Sequence, residues 1–331
     1  PCAEAVARAT LSSSACRAPD EHSAVTDPGD LAARVAAGEA RAVARLISWV
    51  EDGAPGLPDA LGALPSGSSA YVVGLTGSPG VGKSTVTSAL VGAYRARGKR
   101  VGVLAIDPSS PFTGGALLGD RIRMQEHAID PGVFIRSMAS RGHLGGMAAA
   151  TPQAVRVLEA AGCDVVLIET VGVGQSEVDV AATADATVVL LAPGMGDGVQ
   201  AAKAGILEIA DIVCVNKADR DGAEATARDV RQMLRLGSPV DGWTPLVVTS
   251  IAARGEIADL MGALDERRAW LDEGDRSRQR RRARAAAEIL ALAGGRARIQ
   301  LAERLSPEVI DAVADGLLSS FAAADGLLSQ Q

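Results

Sequence analysis

From Tyr71 onward the chain alternates short, wholly apolar runs with longer stretches of helical period. Seven runs read as strands: Tyr71–Thr76, Arg100–Asp107, Val133–Arg136, Val165–Glu169, Thr187–Ala192, Ile212–Asn216 and Leu246–Thr249. Between and after them, Ser84–Arg97, Asp120–Ala128, Pro152–Ala161, Ala223–Leu236 and Ile257–Leu271 read as helices. Strands without a polar face, separated by helices, predict an α/β fold with a mostly parallel, doubly covered sheet.

The flanks follow other patterns. Residues 1–27 are rich in Ala and Ser without sustained period and read as a disordered leader. Residues 28–66 form an N-terminal helical segment, with Asp30–Val50 helical and interrupted at Gly38; Pro55, Pro58, Pro65 and Gly67 mark a connector. The central α/β domain spans 67–272. Residues 273–331 carry no strand pattern. Arg276–Leu292 reads as a helix broken at Gly294-Gly295, followed by helices Arg296–Leu305 and Pro307–Phe321. The apolar stripe of this tail packs either on its own domain or against a second copy as a dimerisation arm; its apolar positions outnumber what a short tail hides alone, which favours the arm. Arg280–Arg282 and Arg284 read as a solvated helix face.

Composition narrows the picture. The chain has 331 residues, a hydrophobic fraction of 47% and only 2% aromatics, so an Ala/Val/Leu/Ile core is required. No apolar run has the length of a membrane span, and the N-terminus lacks a secretion pattern. The net charge of -7 disfavours non-specific nucleic-acid binding. Cys2, Cys16, Cys163 and Cys214 form no C-x-x-C pair, the pattern of a reducing, cytoplasmic protein. Of 33 basic residues only Lys83, Lys99, Lys203 and Lys217 are lysine. In so arginine-rich a chain, lysine is expected where a compact ammonium is needed, which singles out Lys83, Lys217 and Lys203.

Lys83 belongs to Gly77-Ser78-Pro79-Gly80-Val81-Gly82-Lys83-Ser84, a complete G-x-x-x-x-G-K-[ST] phosphate loop, with Thr85 next in the helix. It follows a strand and opens a helix, the context in which backbone amides and the helix N-terminus converge on an anion. Lys83 would reach the β- and γ-phosphates and Ser84 would ligate Mg²⁺.

Other candidates fall at strand ends, where open α/β sheets bind ligands. Asn216-Lys217-Ala218-Asp219 matches N-K-x-D. A carboxylate at Asp219 accepts from N1–H and the exocyclic amine of guanine, a donor pair that adenine lacks, so it specifies GTP over ATP. Lys217 would lie along the base and Asn216 would tie the loops together. Ser250 follows the last strand, and the backbone N–H near Ile251 is placed to meet guanine O6. Glu169-Thr-Val-Gly172-Val-Gly-Gln-Ser-Glu177 joins an acid at a strand end to a glycine amide for the γ-phosphate, the pattern of a switch. Asp107 and Asp120 supply further acids. Ser84 with one or two of Asp107, Asp120 and Glu169 suffices for Mg²⁺; alternatively one acid orients the attacking water, and Asp120 is also a candidate helix cap.

Together Gly77–Thr85, Asp107–Ser110, Gly114–Arg123, Gly142–Gly146, Glu169–Glu177, Pro193–Gly205 and Asn216–Asp219 resemble the methylmalonyl-CoA mutase-associated GTPases of the MeaB/ArgK type. The similarity covers about residues 30–300. It implies a P-loop GTPase that acts as chaperone to an adenosylcobalamin-dependent acyl-CoA mutase, gating cofactor loading and protecting the mutase. GTP or GDP and Mg²⁺ are the implied ligands, with cobalamin held by the partner and not by this chain. Asp107, Asp120 and Glu169 would form the metal and catalytic neighbourhood, Gly172–Glu177 the second switch, and Pro193–Lys203 a further switch loop that meets the partner. A homodimer held by the helical tail is implied too. Ile251, Arg121 and Ala204 depart from the family pattern. Alternatives are a metal-insertion GTPase, which calls for His or Cys ligand clusters, and a small-molecule kinase or ATPase, which Asp219 opposes.

Overall fold

The computed structural model describes residues 27–67, 69–107, 125–127, 129–139, 147–170, 175–194, 206–235 and 242–329. Among the described residues three helices come first: α1 (Pro28–Ala36), α2 (Ala40–Asp52) and α3 (Leu57–Gly62). Helix α1 starts two residues before the expected Asp30. Asp27 caps it, accepting from the Asp30 amide at 2.9 Å, and Pro28 occupies the first turn, where a missing N–H costs nothing.

The seven apolar runs form one parallel sheet: β1 (Tyr71–Thr76), β2 (Val101–Asp107), β3 (Val133–Ala139), β4 (Val165–Thr170), β5 (Ala186–Leu191), β6 (Ile212–Asn216) and β7 (Leu246–Ser250). Their spatial order is β3-β2-β4-β1-β5-β6-β7. The strand carrying Glu169 is thereby inserted between β1 and β2, with Leu75 and Ala105 both in register with Glu169.

Each strand supplies alternate residues to two cores. Val73, Leu75, Val103 and Leu167 face helices α4 (Lys83–Ala96) and α8 (Ala258–Asp272), packing on Leu90, Val91 and Leu264. Val72, Leu104, Val166 and Ile168 face the other layer, with Leu46 and Ile47 of α2, Val155 and Leu158 of α5 (Met147–Ala160), and Val180 of α6 (Gln175–Thr183). A third cluster joins β5 and β6 to α7 (Ala223–Leu234). Burial on both faces removes the polar positions that would show a two-residue period.

Three expectations about the tail are corrected. Helix α9 (Arg276–Arg304) runs unbroken through Gly294-Gly295. A glycine costs a helix interior only about 1 kcal/mol relative to Ala, and Gly295 is buried. Pro307–Phe321 is two helices, α10 (Pro307–Ala314) and α11 (Ser320–Ser329). Gly316 takes a left-handed φ of 73°, and the Leu317 and Leu318 amides donate back to Ala312 O, which closes α10. Arg280 and Arg284 are not a solvated face. Arg280 donates to Ala181 O and Ala184 O at the carboxyl end of α6, and Arg284 pairs with Asp185 at 2.6 Å. These cations meet the negative end of a helix and anchor α9 to the sheet domain. Asp185 in turn accepts from the Val72 amide at the start of β1. No residue of α10 or α11 is buried, and Ile310, Leu317, Phe321 and Leu328 are exposed.

Smaller differences concern boundaries. Helix α5 begins at Met147, five residues ahead of expectation, and contains Pro152. Of the expected Asp120–Ala128 helix, the described part is a short 3-10 turn at Gln125–His127. Among the described residues, no helix is long and apolar enough to cross a membrane.

Candidate nucleotide site

β1 ends at Thr76 and the chain turns through Gly77–Gly82 into α4. The turn is sterically committed to glycine at two points. A Cβ on Gly77 would lie 2.3 Å from Leu190 O, and one on Gly82, whose φ is +97°, would lie 2.5 Å from Asn216 Nδ2. Among the described residues, no acceptor engages the amides of Gly80 and Gly82. They stand at the N-terminus of a 14-residue helix, the arrangement that cradles an anion. Lys83 is buried at the head of that helix, and its Nζ donates to Gly77 O at 2.7 Å and Ser78 O at 3.2 Å.

Glu169, 1% exposed at the end of β4, reaches across to α4. Its Oε1 accepts from Ser84 Oγ at 2.7 Å and its Oε2 from Thr87 Oγ1 at 3.1 Å. The Ser84 hydroxyl and the Glu169 carboxylate therefore stand together as hard oxygen donors, the chemistry Mg²⁺ prefers, and this donor set fits that ion. Thr87 was not singled out by sequence; its place one helical turn after Lys83 was the available signal. Asp107 closes β2, whose Ala105 is in register with Glu169. Asp120, Gly172 and Lys203 lie outside the described residues.

Asn216 joins three loops. Its Nδ2 donates to Val81 O at 2.9 Å, and its Oδ1 accepts from Ser250 Oγ at 3.1 Å and from the Ala252 amide at 3.2 Å. Lys217 has a φ of 58° and donates from Nζ to Gly80 O at 2.6 Å. The left-handed conformation turns the chain sharply after β6 and lays the lysine stem toward the phosphate loop. Asp219 is exposed and pairs loosely with Arg254 at 3.5 Å, a contact of little energetic weight.

Of the backbone N–H groups near Ile251 expected to meet guanine O6, that of Ile251 itself is already engaged. The Ile251 amide donates to Glu256 O at 2.9 Å, because Ile251 and Glu256 form an antiparallel bridge. The Ala252 amide is held by Asn216. The next residue, Ala253, lines a cavity of about 690 Å³ that runs from Ser84 and Thr85 along α4 to Ile257, and no described residue accepts from its amide. Ser88, Glu126 and His127 line the same cavity; the Ser88 hydroxyl bonds Glu126 and lies 3.1 Å from His127 Nε2. Sequence reading missed this trio because nothing in their spacing links 88 to 126.

A phosphate loop at the end of a central parallel strand, with an Asn-Lys-x-Asp turn two strands away bonded directly to it, defines a P-loop nucleotide-binding protein. The family model for the methylmalonyl-CoA mutase-associated GTPase MeaB matches residues 43–304, and the chain belongs to that family.

A Pyrococcus abyssi protein, provisionally named a GTPase, is 46% identical over 310 residues, which cover 91% of this chain and 96% of its own. The Escherichia coli GTPase ArgK is 40% identical over 230 residues, 66% of this chain and 69% of its own. A Caenorhabditis elegans mitochondrial homologue of methylmalonic aciduria type A is 42% identical over 202 residues, 59% of this chain and 51% of its own. Among solved structures, an LAO/AO transport system kinase superposes with a TM-score of 0.69 at 26% identity, covering 91% of this chain and 96% of that one.

Proposed function

We propose that this protein binds and hydrolyses GTP as the chaperone of an adenosylcobalamin-dependent acyl-CoA mutase, gating cofactor loading and protecting the mutase. The observation that carries the nucleotide half is the bond from Asn216 Nδ2 to Val81 O, which holds the base-reading turn against the phosphate loop. Family membership supports the mutase half.

In this reading the loop amides and Lys83 hold the β- and γ-phosphates, and Lys83 exchanges its loop carbonyls for phosphate oxygens. Asp219 accepts from guanine N1–H and the exocyclic amine, which distinguishes GTP from ATP. The Ala253 amide, in place of Ile251, donates to O6. Ser84 and Glu169, with Asp107 or Asp120, would hold Mg²⁺, which when bound neutralises charge growing on the phosphates. Gly172 senses the γ-phosphate, and Lys203 belongs to the loop that meets the partner. The chain acts as a cytoplasmic homodimer through its helical tail, whose exposed Ile310, Leu317 and Phe321 suit a covered face. It binds neither cobalamin, nucleic acid nor membrane directly.

The test is GTP turnover by the purified chain with and without a cobalamin-dependent mutase, alongside mutase inactivation during turnover. Acceleration and protection are expected. An unchanged GTP turnover rate, nucleotide affinity and mutase lifetime would remove the chaperone role, while leaving GTP binding to be judged by titration.

A further inference from the structure

A second cavity, of about 350 Å³, lies away from the phosphate loop, where the N-terminal helices, α5 and α9 meet. Its walls are apolar, with Leu57 and Leu61 of α3, Ala150 of α5 and Leu292 of α9. Four polar side chains border it: Gln153 and Arg156 of α5, and Glu288 and Arg296 of α9.

Gln153 is 7% exposed, and its amide has no hydrogen-bond partner among the described residues. The side chain lines the cavity, and its amide atoms retain solvent access. Arg156 and Arg296 form no ion pair within 4 Å among the described residues, although Arg156 is near enough to Glu288 to favour its charged form. Burial works the other way and outweighs it, raising the Glu288 carboxyl above its usual range. The cavity thus offers an apolar slot, one amide, two guanidiniums and one carboxyl. Its volume lies within the range of about 300–1,000 Å³ typical of small-molecule sites.

We propose that this cavity is a second, nucleotide-independent site for a small amphipathic carboxylate, its chain against Leu57, Leu61, Ala150 and Leu292 and its head held by Arg156, Arg296 and the Gln153 amide. Guanidinium forks match carboxylates with paired hydrogen bonds. The Glu288 carboxyl beside the two guanidiniums opposes a dianion more than a monoanion, so a phosphate ester fits less well. Because α9 supplies one wall, an occupant bridges the arm to the sheet domain.

The test is calorimetric titration of the full chain with octanoate, octyl phosphate and octanamide. Octanoate is expected to bind saturably, one per chain, with octyl phosphate weaker and octanamide weaker by about tenfold or more. Arg156→Ala with Arg296→Ala should weaken octanoate at least tenfold, and Gln153→Leu should weaken it severalfold. Ala150→Trp, which fills the slot, should abolish binding while GDP affinity stays unchanged. That variant also separates the cavity from the exposed apolar face of the arm. Absence of saturable octanoate binding, equal binding of octanamide, or full octanoate affinity in Ala150→Trp would each overturn the proposal.

Discussion

Replacing Asn216 by alanine removes the side chain that fastens three loops around the nucleotide site. Three hydrogen bonds go with it: to Val81 O at 2.9 Å, from Ser250 Oγ at 3.1 Å and from the Ala252 amide at 3.2 Å. Asn216 is 3% exposed and Ser250 equally buried, so water reaches the abandoned partners poorly. At about 1 kcal/mol per neutral hydrogen bond, the loss sums to roughly 3 kcal/mol. The bonds exist in the folded chain itself, so part of the loss appears as stability and part as weaker nucleotide binding, where the ligand must re-order the loops. Urea unfolding of Asn216→Ala should show about 2–3 kcal/mol less stability. Calorimetry should show GDP affinity weaker by at least about tenfold. A variant within about 0.5 kcal/mol of the parent, with its GDP affinity intact, would refute the role assigned to this side chain.

Arg267 is 3% exposed, pairs with Asp211 at 2.8 Å and packs over the rings of Trp243 and Trp270 at 5.0 and 4.6 Å; Arg267→Ala should cost about 3–5 kcal/mol, read as a lowered thermal midpoint. Glu169→Ala removes the carboxylate acceptor that the Ser84 and Thr87 hydroxyls share, while Thr87 keeps its bond to Lys83 O at 3.0 Å, and Mg²⁺-dependent GTP turnover should fall by about a hundredfold or more under steady-state assay. Burial raises the Glu159 carboxyl from its ordinary 4.5 to about 7, so the folded chain holds a proton there that the unfolded chain releases. Stability should therefore fall as pH rises from about 4.5 to about 7 and level off above, a slope that urea titrations at several pH values should find diminished in Glu159→Gln.

The sheet was legible because doubly covered parallel strands are apolar throughout. Val165–Thr170 and Ile212–Asn216, for instance, stand out as bounded runs. Strand order was not legible, since no local pattern places β4 between β1 and β2, and that order is what brings Glu169 to Ser84. The phosphate loop and N-K-x-D turn were legible as motifs because their chemistry fixes residue types at fixed spacing. Which backbone amide after β7 stays unbonded was not, because the Ile251–Glu256 bridge depends on how the chain folds back there. The same holds for Arg280 and Arg284: a run of arginines reads as solvated until the carboxyl end of α6 is seen beneath it. Gly294-Gly295 misled for a different reason, since a helix as long as α9 absorbs a penalty that would end a short one.

Guanine selection by Asp219 beside the phosphate loop is the step of the proposed function on which GTP specificity depends. Calorimetric titration of the parent chain with GDP and ADP, and of Asp219→Asn with GDP and xanthosine diphosphate, tests it most directly. The parent should prefer GDP over ADP by about a hundredfold or more, and Asp219→Asn should lose GDP while gaining the xanthosine nucleotide, whose carbonyl accepts where guanine donates. Equal affinity of the parent for GDP and ADP, or undiminished GDP binding in Asp219→Asn, would contradict it.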